Sequence, residues 1–172
     1  SYEVSLNKGK IVRRGAAVTL ASFSYMTIEA MRAGEALHAT FGIDVEILDM
    51  RSVAPLDLEL VLSSVRKTGL LVVIDTAHKT GSFSAELLSQ VVEYGFGYLK
   101  SAPVRIASPD HPIPTSPYMS RGFYPSAITI ARCVLELVSK DWEKRSEYED
   151  LVTSLTAGQF DDVPDREFVG PF

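Results

Sequence analysis

A chain of 172 residues with 46% apolar content can bury one sizeable core, and its length fits a single domain of about 100–150 residues plus an extension. Its net charge of −5 and pI near 5.2, with no offsetting basic patch, exclude nucleic acid as the main partner. No apolar run approaches the roughly 18 residues of a membrane span, the first residues lack signal-peptide order, and the lone Cys133 excludes an internal disulfide, so the expectation is a soluble cytoplasmic protein in a reducing compartment.

Residues 1–15 are polar and basic and read as an extended lead-in with a short strand near Lys10 to Arg13. The apolar run Ala16 to Ala21 predicts a strand covered on both faces. Ser22, Ser24 and Thr27 offer hydroxyls to cap a helix over Met26 to Phe41, with Ile28, Met31, Ala36 and Leu37 inward and Gly42 as its stop. Asp44 to Asp49 is the next strand, and the polar stretch DMRSVAPLD, Asp49 to Asp57, leads from it into a helix ending near Lys67. Asp57 is the expected cap of that helix, whose apolar positions 58, 61, 62 and 65 match the helical template. Leu70 to Ile74 is the most apolar run and is expected at the centre of the sheet. A polar segment, Asp75 to Ser82, then precedes a helix over Phe83 to Leu99 with Leu87, Leu88, Val91 and Val92 inward. Pro103 to Ala107 is the last expected strand, followed by a proline-rich loop from Ser108 to Pro125. Pro125 is expected to open a helix carrying Ile128, Ala131, Leu135 and Val138, with Cys133 buried on its apolar face. The domain is expected to span residues 16–139. Residues 140–172 are charged, then turn-rich, and read as an extension that packs on a neighbour or is partly disordered.

Strands alternating with helices through short connections imply βαβ units and a mainly parallel sheet in an α/β, three-layer α/β/α domain. Such a sheet exposes its usable surface where loops leave the strand C-termini. No G-x-G-x-x-G or G-x-x-x-x-G-K-[ST] occurs, so neither phosphate-binding motif of nucleotide enzymes is present. The Ser22 to Thr27 turn fits anion binding at a helix start or plain capping. His38 sits near a helix C-terminus, where a cation suits the dipole. His78 and His111 fall in loops on the strand-end edge with Asp49, Asp75 and Asp110. A general acid–base pair is conceivable there, beside the commoner solvated or loop-stabilising role. No H-x-x-x-H or Cys/His cluster supports a metal site, and Ser82 and Ser84 lack a nucleophile elbow. Asp49, Arg51 and Asp57 are spaced either to brace their own loop or to meet a ligand. Glu86 and Glu93, on the third long helix, are either a solvated face or a docking point for a basic partner.

Four landmarks in order, GKIVRRGAAVTLASFSYM, IDVEILDMRSVAPLD, TGLLVVIDTAHKTGSFSAEL and SPDHPIPTSP with YPSAITI, resemble the C-terminal domain of transketolase-like thiamine-diphosphate enzymes. The resemblance is nearest to the beta subunits of 2-oxo acid dehydrogenases of pyruvate, branched-chain or acetoin type. It implies a five-stranded mixed sheet. It further implies thiamine diphosphate and Mg2+ in the full enzyme but no cofactor in this segment, and no catalytic residue by carry-over. Implied partners are other domains or subunits of the same enzyme, in a homo- or hetero-oligomer, and a dihydrolipoyl acyltransferase core. Thr76 and Ser82 depart from the family's frequent DEAPRTGG-like segment and leave the subfamily open. Two readings of other classes stand beside this one: a free-standing regulatory module binding a small anion at the strand-end edge, and an independent enzyme using His78 or His111.

Overall fold

The computed structural model describes residues 6–120, 122–139 and 146–156. Strands β1 (Lys10–Arg13), β2 (Thr19–Ser22), β3 (Glu46–Asp49), β4 (Leu71–His78) and β5 (Val104–Ser108) form one sheet in the order β1-β3-β2-β4-β5. β1 runs antiparallel to β3, and the other neighbours are parallel. This is the expected five-stranded mixed sheet. Helices are α1 (Met26–Phe41), α2 (Leu58–Thr68), α3 (Phe83–Gly95), α4 (Pro117–Ser120), α5 (Ala127–Val138) and α6 (Glu147–Thr156).

The period-two geometry of a strand sends alternate side chains to opposite faces, and two cores result. Leu20, Ile47, Val72 and Ile74 meet the layer of α1, α5 and α6. Ala21, Leu48, Leu71 and Val73 meet α2 and α3. Every residue of β2 is buried, as a strand covered on both faces requires. Gly15, just before it, has no room for a side chain, since a Cβ there would overlap the Val45 carbonyl. Gly42 and Gly69 end α1 and α2 in the left-handed conformation expected of helix stops.

The structure corrects several expectations. β2, not the more apolar β4, is central, because β4 lies one strand from the edge. β4 also runs on to His78, since the ladder to β5 continues through His78 and Ser108 beyond the apolar run. Its last three residues are exposed because the strand end projects past the core. The helix expected to reach Leu99 stops at Gly95 and tightens into a 3-10 turn at Phe96–Tyr98, where two glycines lower helix propensity. α5 begins at Ala127, not Pro125: the Ser126 hydroxyl accepts from the Thr129 N–H and takes the cap. On α1 the buried face is Met26, Glu29, Ala30, Ala33, Gly34 and Leu37, whereas Ile28, Met31 and Ala36 are half-buried. No side chain caps α1; the Ser22 hydroxyl lies 3.0 Å from the Leu48 carbonyl instead. The unexpected α4 lies inside the proline-rich loop.

Cys133 is buried, and desolvation, followed by Glu136, pushes its thiol up to about 11. The charged extension holds a further element. α6 buries Leu151 and Leu155 against α1 and α5, and Arg32 donates to the Leu155 carbonyl at 3.1 Å. The remaining residues read as extension, 140–145 and 157–172, lie outside the described residues, as do residues 1–5 of the lead-in.

Candidate functional site

The parallel strands β2, β3, β4 and β5 end on one edge of the sheet, so their outgoing loops meet there. Two clusters form on that edge, and they are separate.

The first is the loop after β3. Arg51 takes a positive φ of 56°, uncommon for a residue with a side chain. Its Nε donates to Asp49 Oδ2 at 3.0 Å, and the Ser52 hydroxyl donates to the Pro55 carbonyl at 2.9 Å. Asp57 does not cap α2. Its carboxylate accepts from the Gly9 N–H at 3.2 Å and the Lys8 ammonium at 3.5 Å, which ties the lead-in to the start of α2. The Asp57 backbone, at ψ 68°, lies outside the extended region usual for a capping residue. Asp57→Ala is expected to cost about 1.5–3 kcal/mol, the range for a bond to a charged group. Hydrogen exchange at Gly9 to Ile11 should accelerate, with the helix layers unchanged. Unaltered protection at those amides would show that the carboxylate does not hold the lead-in.

The second cluster joins the ends of β4 and β5. His78, Thr80, Asp110, His111 and Pro112 line an open cavity of about 500 Å³. Asp110 accepts from the Thr80 backbone N–H at 2.8 Å and the Thr80 hydroxyl at 2.6 Å. These two bonds, the hydroxyl's first, hold the exposed Asp110 carboxyl below its ordinary value, with His78 and Arg105 adding smaller favourable charge. Nδ1 of His78 lies 2.8 Å from the Pro109 carbonyl, and Nδ1 of His111 lies 3.1 Å from the Pro112 carbonyl. A carbonyl only accepts, so both Nδ1 atoms carry protons and Nε2 of each ring faces away from these contacts. The His111 ring also packs edge-on to Phe123, 5.1 Å between centroids. A pair of imidazoles with defined tautomers beside an ionised carboxylate can exchange protons or accept hydrogen bonds.

Of the residues expected on this edge, His78, Asp110 and His111 come together, and Asp49 and Arg51 sit apart from them. Asp75 is buried in β4 and accepts from the Ala77 N–H at 3.1 Å, within its own turn. His38, elsewhere, pairs with Asp44 at 2.9 Å. Glu86 and Glu93 are exposed on α3, and Glu86 accepts from Gln90. Thr80, the residue that joins the two loops, carries no signal in the sequence, because its partner lies 30 residues away. Among the described residues, no three or more His, Cys, Asp or Glu side chains are grouped to hold a metal ion. The cavity is lined by a carboxylate and imidazoles, with no lysine or arginine. That donor set does not fit a magnesium diphosphate, which needs oxygen ligands for the cation and donors for the phosphates. No helix among the described residues is long and apolar enough to cross a membrane.

Comparison with known proteins places these features in context. The family described as "Transketolase, C-terminal domain" matches residues 7–129, from the lead-in to the first residues of α5. The chain is 36% identical to the beta subunit of acetoin:2,6-dichlorophenolindophenol oxidoreductase of Cupriavidus necator, over 76% of the chain and 38% of that protein. It is 42% identical to the beta subunit of 2-oxoisovalerate dehydrogenase of Pseudomonas aeruginosa, over 66% of the chain and 31% of the relative. With the mitochondrial pyruvate dehydrogenase E1 component subunit beta of Pisum sativum the identity is 36%, over 77% and 36% of the two chains. The chain therefore spans about a third of the length of these relatives. A solved split-gene transketolase, described as an inactive beta4 tetramer, superposes with a TM-score of 0.69 at 24% identity, over 80% of this chain and 44% of the other. That likeness is one of fold.

Proposed function

Because the chain belongs to the transketolase C-terminal domain family, we propose that it serves as the assembly and active-site-access domain of a thiamine-diphosphate-dependent 2-oxo acid dehydrogenase beta subunit. On this reading the decarboxylation is not carried by this chain's own side chains. The cofactor, held with Mg2+ by other domains, supplies the carbanion chemistry. The observation that carries the reading is the family match across the whole sheet, together with relatives named as beta subunits of which the matched stretch is about a third. The Asp49–Arg51 loop and the His78–Asp110–His111 cavity line the rim of the cleft. The anion-binding alternative is disfavoured by a cavity that presents the Asp110 carboxylate and no lysine or arginine. Docking of an acyltransferase core through Glu86 and Glu93, and a cytoplasmic location in keeping with a single buried thiol, belong to the same proposal.

Calorimetric titration with thiamine diphosphate and Mg2+ tests it. The chain alone is expected to give no binding heat. Mixed with a polypeptide bearing the pyrimidine- and diphosphate-binding domains of a matching enzyme, it is expected to give cofactor binding and 2-oxo acid decarboxylation. Cofactor affinity or turnover by the chain alone would overturn the proposal, and so would a mixture that stays inactive.

A further inference from the structure

The cavity between the ends of β4 and β5 gathers hydrogen-bond acceptors around one negative charge. His78, Thr80, Asp110, His111 and Pro112 line its volume of about 500 Å³, and all five are exposed, so the acceptors are open to a ligand. Nδ1 of each histidine is committed to a proline carbonyl, at 2.8 Å for His78 and 3.1 Å for His111. The nitrogen left for a ligand is therefore Nε2 on both rings, which accepts when a ring is neutral and protonated at Nδ1. Arg105, whose charge acts on Asp110, is turned elsewhere. Its Nη1 donates to the Lys79 carbonyl at 2.7 Å, and it does not line the cavity.

An anion would meet the Asp110 charge with no lysine or arginine in the lining to offset it. A metal ion needs several ligands converging on one point at about 2.0–2.6 Å. Among the described residues, no three or more His, Cys, Asp or Glu side chains are so grouped. A cation held by hydrogen bonds remains, and Thr80 sets its shape. The Thr80 backbone N–H donates to Asp110 Oδ1 at 2.8 Å and its hydroxyl to Oδ2 at 2.6 Å. These bonds take both oxygens in parallel, which is the pattern a guanidinium fork would need. What Asp110 still offers is single lone pairs, suited to a compact ammonium with independently aimed donors. Pro112 adds an apolar wall for the methylenes that carry such an ammonium.

We propose that this cavity binds a primary alkylammonium, from a lysine side chain or a free amine, through Asp110 and Nε2 of His78 and His111. One ammonium hydrogen goes to each acceptor. The inference rests on the cleft-rim role proposed above and names the class of group that the rim receives.

Nuclear magnetic resonance of the backbone amides and histidine rings of the chain tests it. The probes are n-butylammonium and Nα-acetyl-lysine N-methylamide. Saturable shifts centred on His78, Thr80, Asp110 and His111 are expected with both. Tighter binding of the lysine compound assigns the site to a protein side chain, and tighter binding of n-butylammonium assigns it to a free amine. The same lysine compound acetylated at Nε, and n-butylguanidinium, should each bind about tenfold or more weakly than the matching ammonium. Asp110→Asn keeps the size and an acceptor for Thr80 but removes the charge, and should weaken n-butylammonium by about tenfold or more. Should Asp110→Asn fail to fold, His111→Phe keeps a ring against Phe123, deletes Nε2 and should weaken the same probe. No saturable shift, equal affinity for the guanidinium, or binding indifferent to these substitutions would overturn the site. If the shifts were absent while the chain still restored decarboxylation to the pyrimidine- and diphosphate-binding domains, the site would fall and the domain role would stand. Shifts present beside an inactive mixture would do the reverse.

Discussion

Replacing Glu29 by alanine is expected to lower the unfolding free energy by about 3–5 kcal/mol, the loss typical of removing one partner from a buried ion pair. Glu29 is 4% exposed on the inner face of α1. Its Oε1 accepts from the Tyr25 hydroxyl at 2.7 Å and from Arg32 Nη1 at 2.9 Å, and its Oε2 accepts from the Ala127 N–H at 2.8 Å. The last bond satisfies an orphan donor at the start of α5, where a carboxylate also suits the helix dipole. Arg32 in turn donates to the Leu155 carbonyl near the end of α6. One carboxylate therefore links α1 to the start of α5 and, through Arg32, to the end of α6. Its loss leaves the Ala127 N–H without its acceptor and a partly buried guanidinium without its carboxylate. Chemical denaturation reads the effect as a lower midpoint at unchanged slope. Glu29→Gln keeps the shape and removes the charge, so it should fall between the parent and alanine. A loss under about 1 kcal/mol for alanine, the scale of an exposed pair, would show that the network does not matter.

Leu151→Ala should cost about 2–5 kcal/mol through the same cooperative transition, as for other fully buried leucines. Leu151 is fully buried, although it lies beyond the residues matched by the family. If α6 is part of the core shared with α1 and α5, truncating Leu151 lowers the midpoint for the whole domain. If α6 were a loosely attached appendage, the substitution would only release α6 itself, seen as faster hydrogen exchange confined to Glu147–Thr156 with the midpoint unmoved. That second outcome would remove α6 from the domain.

Much of the architecture is legible in the residues because it is written in local patterns. The apolar run of β2, the helical spacing of Leu58, Val61, Leu62 and Val65, and the glycine stops at 42 and 69 each depend on neighbours within a turn or a strand. Strand order is not local. LLVVI is the most apolar run, yet AAVTLA holds the centre, because burial on both faces is common to all three interior strands and does not rank them. On α1 the bounds and Leu37 are as expected and Met31 and Ala36 pack half-buried on the core, but Glu29 takes a fully inward place that an apolar pattern does not assign to it. Asp57 shows the same limit: its identity suits a cap, but a lead-in nearly 50 residues away takes its oxygens.

The candidate site divides in the same way. The topology rule placed Asp49, His78, Asp110 and His111 on the strand-end edge from sequence alone, because parallel strands that alternate with helices must all end on one side. Which of them share a cavity was decided by the sheet order, which sets β4 beside β5 and keeps β3 away. Thr80 then locks Asp110, and two proline carbonyls set the imidazole tautomers, through contacts that no spacing in the sequence encodes. By itself the sequence determined the family, the layers and the edge on which DMRSVAPLD lies, since these follow from periodicity and motif order. Only the tertiary structure decided that this loop is braced apart from the histidines, that Leu88 and Val92 of α3 are only half-buried, and that α6 packs on the core. Each of those depends on which distant surfaces meet, and burial, not sequence spacing, selects them.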